Sequence, residues 1–145
     1  MAKLVLNIDG IEDDFFTGAR MLGIMSQTKN FRFCWLVNTH LHVDFRLNAD
    51  AEIQLNKKGR NYFFEVYQFC EPGCETEHYI YHNQFEGEHL LPEFKHFDFL
   101  WLAKSANLND EDFLLLQQNL KKINGVQLVT ELTPEKIKNK TNLIF

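Results

Sequence analysis

The sequence predicts a single α+β domain over residues 1–145, with a mostly antiparallel, twisted sheet of about six to eight strands and two main helices packed on one face. Three observations lead to this prediction. Most of the apolar pattern repeats every second residue, as in strands, and only two long segments have helical spacing. The 145 residues are 45% apolar, which is enough for one core. No flexible linker divides the chain.

The first elements are predicted to be a strand and a helix. Residues 3–8 are typical of a short strand. Residues 13–27 have the spacing of a helix that begins at Asp13 or Asp14 as its N-cap. The apolar residues of this helix share one stripe: Phe15, Ala19, Leu22 and Met25.

Residues 31–47 are predicted to form a β-hairpin with one buried aromatic face. Alternate residues of the first strand share that face: Phe31, Phe33, Trp35 and Val37. The turn is expected at Asn38–Thr39. The alternation then resumes in the second strand: Leu41, Val43, Phe45 and Leu47.

The middle of the chain is predicted to continue as strands. They are expected near residues 52–55, 61–69 and 77–85, with turn residues at 57–60. The next strand, residues 96–104, carries apolar side chains on both faces: Phe97, Phe99 and Trp101 on one and Leu100 and Leu102 on the other. A strand that is buried on both faces belongs at the centre of the sheet.

The second helix is predicted to begin after Asn109, which is a typical N-cap followed by three acidic residues. Its end is indicated by Gly125. Residues 126–132 are predicted to form the returning strand. We expect the tail to begin with a helical turn at Thr133 and to dock its apolar end against the domain.

Charge and cysteine content exclude several classes of function. Residues 1–120 carry 10 basic and 18 acidic side chains, whereas residues 121–145 carry 5 and 2. The basic tail lacks interleaved aromatic residues, so nucleic acid is not an expected partner. No apolar stretch approaches the roughly 20 residues that cross a bilayer. The odd number of cysteines, three, argues against a disulfide scaffold, so we expect a cytoplasmic protein with free thiols.

The stretch LPEFKHFDF, residues 91–99, resembles the signature of the bacterial IPExxxVDY family. Leu91, Pro92, Glu93, Asp98 and Phe99 occupy the motif positions, with Phe99 in place of the tyrosine. Supporting similarity lies in RFCWLVN, in LKKINGVQLVTEL and in the ending KNKTNLIF, so it spans most of the chain. The resemblance implies a small bacterial protein without an established activity, and it implies no mechanism.

The motif suggests a candidate site at Glu93, His96 and Asp98. In strand geometry His96 and Asp98 share a face, so Asp98 could orient His96 as a general base, with Glu93 as a second acid. Arg32 or Arg46 could anchor an anionic substrate. The alternative is structural, with the carboxylates accepting hydrogen bonds from backbone N–H groups, and the absence of a nucleophile or a glycine-rich phosphate loop favours it.

A second candidate site is a metal site. Cys70, Cys74, His78 and His82 follow one another at intervals of four residues and are the donor types that bind zinc. In a continuous strand the two histidines would lie roughly 13 Å apart, too far for one ion. His40 and His42 could form a smaller donor cluster with Asp44 and Arg46. No cofactor is expected, and zinc is kept as an alternative.

The sequence leaves three functions open. We favour a non-enzymatic interaction or assembly module, a homo-oligomer or an adaptor for a cytosolic partner, because aromatic residues of adjacent strands would be exposed on the sheet face without helices. These residues are Tyr62, Phe64, Tyr67, Tyr79, Tyr81 and Phe85. The alternatives are a small-ligand binder or simple enzyme that uses Glu93, His96 and Asp98, and a domain stabilised by zinc through residues 70–82.

Overall fold

The fold is described by a computed structural model for residue 16 and for residues 18–28, 31–73, 76–105, 109–133 and 136–144. Its strands are β1 (Ala19–Ser26), β2 (Arg46–Leu47), β3 (Ile53–Lys57), β4 (Arg60–Phe64), β5 (Val66–Cys70), β6 (Glu77–His82), β7 (Gln84–Phe85), β8 (Glu88–His89), β9 (Phe99–Lys104) and β10 (Val126–Leu132). The helices are α1 (Phe31–Leu41) and α2 (Asp110–Lys121). Short 3₁₀ turns are Ala49–Ala51, Pro92–Phe94 and Lys140–Leu143. The predicted strand at residues 3–8 lies outside the described residues.

Within the described residues, six strands form the main sheet in the order β10-β1-β9-β6-β5-β2, and every neighbouring pair is antiparallel. Two hairpins, β3-β4 and β7-β8, stand apart from it. With two helices this confirms the predicted α+β class. The predicted central strand is β9, and its residues 99–103 are all buried; it begins at Phe99 and not at residue 96, so His96 and Asp98 do not share a strand face.

Both helices pack on one face of the sheet. The core on that face includes Phe33 from α1, Phe113 from α2, and Phe99 and Trp101 from β9. The rings of Phe33 and Phe99 stack with their centroids 4.1 Å apart. Burial of side chains this large contributes roughly 1.5–3 kcal/mol each, so these contacts fix the helices to the sheet.

The opposite face of the sheet is covered by the two hairpins, residues 90–97 and the C-terminal segment 136–144. The prediction of an exposed aromatic surface on this face is therefore wrong. Of the six residues expected there, Phe64, Tyr79 and Tyr81 are buried on this face, and Tyr67 is buried on the helix-covered face instead. The other two, Tyr62 and Phe85, are half-buried against this core. An antiparallel sheet can leave one face exposed to solvent, but here other segments of the same chain pack over that face.

The predicted helix at residues 13–27 is wrong over residues 19–26, because Ala19–Ser26 is strand β1, although Phe16 is helical. This strand lies between β9 and β10 in the sheet, and its residues contribute to the cores on both faces. Leu22 and Ile24 point to the helices, whereas Met21 packs on the other side. A continuous apolar run of this kind cannot be distinguished from a buried helix by its periodicity. The N-cap candidates Asp13 and Asp14 lie outside the described residues.

The predicted hairpin at residues 31–47 is also wrong: its first half is helix α1, and of its second strand only Arg46–Leu47 is a strand, which pairs with β5. The buried residues Phe33, Cys34 and Val37 follow the helical repeat, whereas Phe31 and Trp35 of the predicted buried face are exposed. The expected turn at Asn38 lies inside the helix. The Asn38 side chain accepts a hydrogen bond from the Phe45 N–H and donates one to the Phe45 carbonyl, and these bonds hold the following loop against α1.

The last third of the chain agrees closely with the prediction. Asn109 caps α2 by accepting a hydrogen bond from the Asp112 backbone N–H at 2.8 Å. Gly125 has a φ of 96°, a left-handed conformation that favours glycine, but α2 already ends at Lys121, earlier than predicted. Leu143 near the C-terminus is fully buried, and its carbonyl accepts a hydrogen bond from the Tyr81 hydroxyl. No helix among the described residues is both long and apolar enough to span a membrane.

Candidate functional site

The family-like motif is a connector between β8 and β9, and its hydrophobic residues are anchors. Leu91 is fully buried, Pro92–Phe94 form one 3₁₀ turn, and Phe97 is 3% exposed. Phe97 lies directly over Gly23 of β1, where an added Cβ would come within 2.7 Å of the Phe97 ring. Unlike its predicted position beside Phe99, Phe97 therefore packs on the opposite face of the sheet.

Glu93 holds the C-terminal segment against the domain. Its Oε2 accepts hydrogen bonds from the backbone N–H groups of Lys138 and Asn139 at 2.6 and 2.8 Å, and its Oε1 accepts one from the Asn139 side chain. Burial raises the pKa of this carboxyl, but these bonds and one from its own backbone N–H outweigh burial and lower the pKa below 4.5. Glu93 is therefore a carboxylate engaged with the backbone.

Asp98 joins the start of β9 to the end of β1. Its Oδ2 accepts a hydrogen bond from the Ser26 N–H at 2.8 Å, beside the irregular pairing of Met25 and Ser26. Its own N–H donates to the Ile24 carbonyl at 2.8 Å. These hydrogen bonds provide partners for backbone N–H groups where the pairing of β1 with its neighbouring strand β10 is irregular.

His96 is exposed and packs on the Phe97 ring, with the ring centroids 4.1 Å apart. Among the described residues, no hydrogen bond joins it to Glu93 or Asp98. Glu93, His96 and Asp98 therefore contact different parts of the protein and do not line a common cavity.

Asn83, which sequence reasoning missed, organises the motif. It is fully buried, and its side-chain amide donates to the carbonyls of Phe94 and Phe97 at 3.1 and 2.9 Å. Its side-chain oxygen accepts from the Leu91 N–H at 2.8 Å. The backbone of Asn83 adds bonds to Asp98 and Leu90. The only indication of this role in the sequence was that Asn83, a single amide side chain, interrupts an aromatic strand pattern at the point where β6 ends.

The proposed zinc ligands that the structure describes, Cys70, His78 and His82, are not brought together. His78 and His82 lie on one continuous strand, β6, so their side chains are roughly 13 Å apart. Cys70 is exposed at the end of β5, and Cys74 lies outside the described residues. Within the described residues no group of three or more His, Cys, Asp or Glu side chains could hold a metal ion.

The remaining candidates are on the surface. Arg32 is exposed in the first turn of α1, and Arg46 is exposed and paired with Asp44 at 2.9 Å. His40 lies in the last turn of α1 and His42, with a φ of 57°, follows the helix. The predicted alternation of these histidines along a strand is therefore wrong, because the segment is helical.

The described residues form a concave site of about 720 Å³, which we name the helix cleft. It lies between α2, the loop after α1 and the described residues of the β5-β6 connection, of which Glu71, Gly73 and Thr76 line it. Apolar residues form its walls: Leu41, Val43, Phe45, Phe69, Trp101, Leu115 and Leu116. The other lining residues are Glu71, Gly73, Thr76, His78, Ser105, Asp112 and Asn119. Its volume falls within the range of about 300–1,000 Å³ that is typical of small-ligand sites.

A hydrogen-bonded row of three side chains lines the helix cleft. The Trp101 indole N–H donates to Nδ1 of His78 at 3.1 Å, and Nε2 of His78 lies 3.0 Å from Oε2 of Glu71. An indole nitrogen only donates, so Nδ1 must be the acceptor. Nε2 therefore carries the proton of the neutral imidazole and donates it to the Glu71 carboxylate.

His78 is held in this neutral form by its surroundings. Burial lowers the pKa of His78 below 6.5, and the Glu71 carboxylate opposes that shift only in part. Phe69 and Phe45 pack against the imidazole ring. Protonation of Nδ1 would also break the hydrogen bond from Trp101, since both nitrogens would then be donors.

The row is positioned by strand register. His78 of β6 lies opposite Phe69 of β5, and Trp101 of β9 lies opposite Ile80, which is two residues beyond His78. His78 and Trp101 are thus diagonal neighbours on the helix-covered face. Glu71 follows β5 directly, and its N–H bonds the Thr76 carbonyl across the turn.

Comparison with known proteins adds no assignment. No protein-family model matches the chain, and no curated protein matches it significantly. The resemblance of residues 91–99 to the IPExxxVDY signature therefore stays a prediction.

Proposed function

We propose that this protein is a non-enzymatic binding module and that the helix cleft is its recognition site. The observation that carries the proposal is a concave site with apolar walls and a fixed row of polar side chains, Glu71, His78 and Trp101. Ligand sites commonly combine an apolar lining with a few convergent polar groups that set orientation.

Both ring nitrogens of His78 are already hydrogen-bonded within the protein, and this favours binding over catalysis. In a histidine that acts as a general base, one nitrogen is oriented by a carboxylate and the other takes the proton of the reacting group. Here the nitrogen opposite Glu71 already accepts from Trp101. Uptake of a proton from a ligand would require that buried bond to break.

The motif carboxylates also support a binding module over an enzyme at residues 93–98. Glu93 and Asp98 accept hydrogen bonds from backbone N–H groups of other segments, and His96 is exposed on its own. Groups used in this way stabilise the fold, which leaves the helix cleft as the better place for recognition.

The test is a fragment screen by two-dimensional ¹H–¹⁵N NMR, with small amines, alcohols and acids that carry apolar stems. We expect shift changes at the cleft residues Gly73, Thr76 and Ser105 and at the Trp101 indole. Leu115→Trp should abolish these changes, because Leu115 lines the cleft yet is 55% exposed and can be enlarged without disturbing the core.

Leu114→Trp is the matched control, since Leu114 is 53% exposed on the same helix and does not line the cleft. Ligand-induced shifts should survive in this variant. Shift changes centred on Lys95 and His96 would favour a ligand site at the motif. The absence of any response in the cleft at millimolar concentrations would contradict the proposal.

Self-association is a second candidate, and a different observation favours it. Phe31 and Trp35, one turn apart on α1, are 74% and 60% exposed. Aromatic residues are enriched at the centres of protein interfaces. Sedimentation of the wild type and of the double variant Phe31→Ser, Trp35→Ser tests self-association. A wild-type dimer that becomes monomeric in the double variant would support it. A wild type that stays monomeric over a 100-fold range of concentration would reject it.

A cytoplasmic location is part of the proposal. Cys34 and Cys70 are free thiols, and Cys70 is exposed. Exposed free thiols persist in reducing compartments, which supports this location.

A further inference from the structure

We infer that the helix cleft binds an organic cation, a primary ammonium group on an apolar stem, with Glu71 as its counter-ion. The inference rests on the proposed binding function and adds the chemical class of the ligand. The same chemistry could be presented by a free alkylamine or by a lysine side chain of another protein.

The first argument is the charge of the lining. Among the described residues that line the cleft, the carboxylates are Glu71 and Asp112, and there is no lysine or arginine. His78 adds no positive charge at neutral pH. Among the described residues, neither Glu71 nor Asp112 forms an ion pair with arginine or lysine, in contrast to a carboxylate such as Glu131, which pairs with Arg20. A cleft lined by one sign of charge between apolar walls attracts the opposite sign.

The second argument is the position of Glu71. Its Oε2 accepts from His78, and its side chain is 42% exposed, so the carboxylate is fixed at one oxygen and accessible from the cleft. The described residues supply no partner for Oε1. One fixed oxygen suits an ammonium, which bonds as a point charge, better than a guanidinium, which bonds carboxylates through two parallel contacts.

The third argument is the apolar wall beside the carboxylate. Phe69, Trp101 and Leu116 line the same cleft, so an apolar stem can be buried while its charged end reaches Glu71. Amphipathic chains of this kind, including lysine, bury their methylene groups and keep the charged end near a polar partner.

The test compares three ligands of matched size by NMR titration near pH 7.5: n-pentylamine, n-pentanol and pentanoate. The amine should bind about tenfold more tightly than the alcohol, because a charge-assisted hydrogen bond is roughly twice as strong as a neutral one. Pentanoate should bind most weakly, since Glu71 and Asp112 repel it.

Glu71→Gln is the decisive variant. Glutamine keeps an oxygen that can accept from His78 but has no charge, so the preference for the amine over the alcohol should disappear while the alcohol still binds. Glu111→Gln is the matched control: Glu111 carries the same charge in the first turn of α2 and does not line the cleft. It should leave the preference unchanged.

Two results separate the failure of this inference from the failure of the binding module. If pentanol binds the cleft as tightly as pentylamine, or if Glu71→Gln keeps the preference, the cation class is overturned and the binding module stands. If none of the three ligands shifts cleft resonances, both are overturned. Blocked lysine, Nα-acetyl-lysine-N-methylamide, identifies the source: tighter binding than pentylamine supports a lysine of a protein partner, and weaker binding supports a free amine.

Discussion

Replacement of Asn83 with alanine would remove the three side-chain hydrogen bonds that hold residues 91–97 against the end of β6. Two of the bonded groups, the Leu91 N–H and the Phe97 carbonyl, belong to residues at most 3% exposed, so water cannot readily replace the lost partner. Three bonds at roughly 1 kcal/mol each, with an added penalty for buried groups left unpaired, give a loss of about 3–5 kcal/mol.

Urea unfolding measures this loss directly. In a thermal scan it corresponds to a fall in Tm of about 10 °C or more, at roughly 3 °C per kcal/mol for a chain of this size. Asn56→Ala is the control, because Asn56 bonds Asn61 on an exposed hairpin and should cost about 0.5 kcal/mol or less.

Asn83→Asp refines the test. Aspartate keeps an acceptor for the Leu91 N–H but loses both donors, and it places a carboxylate against the carbonyls of Phe94 and Phe97. We expect it to be at least as destabilising as alanine at pH 7. A loss below about 1 kcal/mol for Asn83→Ala, or one equal to that of Asn56→Ala, would refute the reasoning that Asn83 organises the motif.

Three further predictions concern the motif and the cleft. Glu93→Gln should lower stability by about 1 kcal/mol at pH 7. Because the folded pKa of Glu93 lies below 4.5, its stabilisation is present above that pH and is lost as the pH falls through the folded pKa, so the urea midpoints of wild type and variant should converge as the pH is lowered below 4.5. Gly23→Ala should cost about 1–3 kcal/mol in urea unfolding because its Cβ would overlap the Phe97 ring, and Phe97→Leu in the same chain should recover part of the loss. The pKa of His78 measured by NMR should lie below 6.5, and Glu71→Gln should lower it further. Because the pKa of His78 is lower in the folded than in the unfolded chain, His78 should make the free energy of unfolding fall as the pH drops below about 6.5.

Each of these has a clear contrary result. A constant gap between wild type and Glu93→Gln from pH 7 to pH 3 would show that the charge of Glu93 is irrelevant. Strictly additive effects of Gly23→Ala and Phe97→Leu would mean that the two residues are not in contact. A His78 pKa that rises in Glu71→Gln would show that the carboxylate does not stabilise the imidazolium.

The sequence predicts those elements whose local chemistry has a single interpretation. Helix α2 was predicted from Asn109, its acidic first turn and Gly125, each of which acts within a few residues of chain. The strand pattern of β9 was equally clear, because side chains on both of its faces are apolar. Capping and turn chemistry are local, so they can be read without knowing the fold.

The errors in the first third have a common physical cause. In β1 and α1 the apolar residues are too dense for periodicity to separate a strand from a helix. Only tertiary packing decides: β1 fits between two strands because Gly23 leaves room for Phe97, and α1 turns Phe33 toward Phe99 and leaves Trp35 in solvent.

The cleft could not be predicted for a different reason. Glu71, His78 and Trp101 are brought together by the register of β5, β6 and β9, and a shift of one residue in any pair would place a member on the other face. Sequence spacing emphasised His78 as a metal ligand beside Cys74 and His82. The fold instead directs its two nitrogens to a carboxylate and an indole.

The central claim is that recognition takes place in the helix cleft and not at the motif of residues 91–99. Intermolecular nuclear Overhauser effects between n-pentylamine and the protein test it most directly. The account predicts contacts from the ligand methylene protons to Trp101 and to the methyl groups of Leu116. Contacts to Phe94 and His96, or a saturating titration without any contact to the cleft, would contradict it.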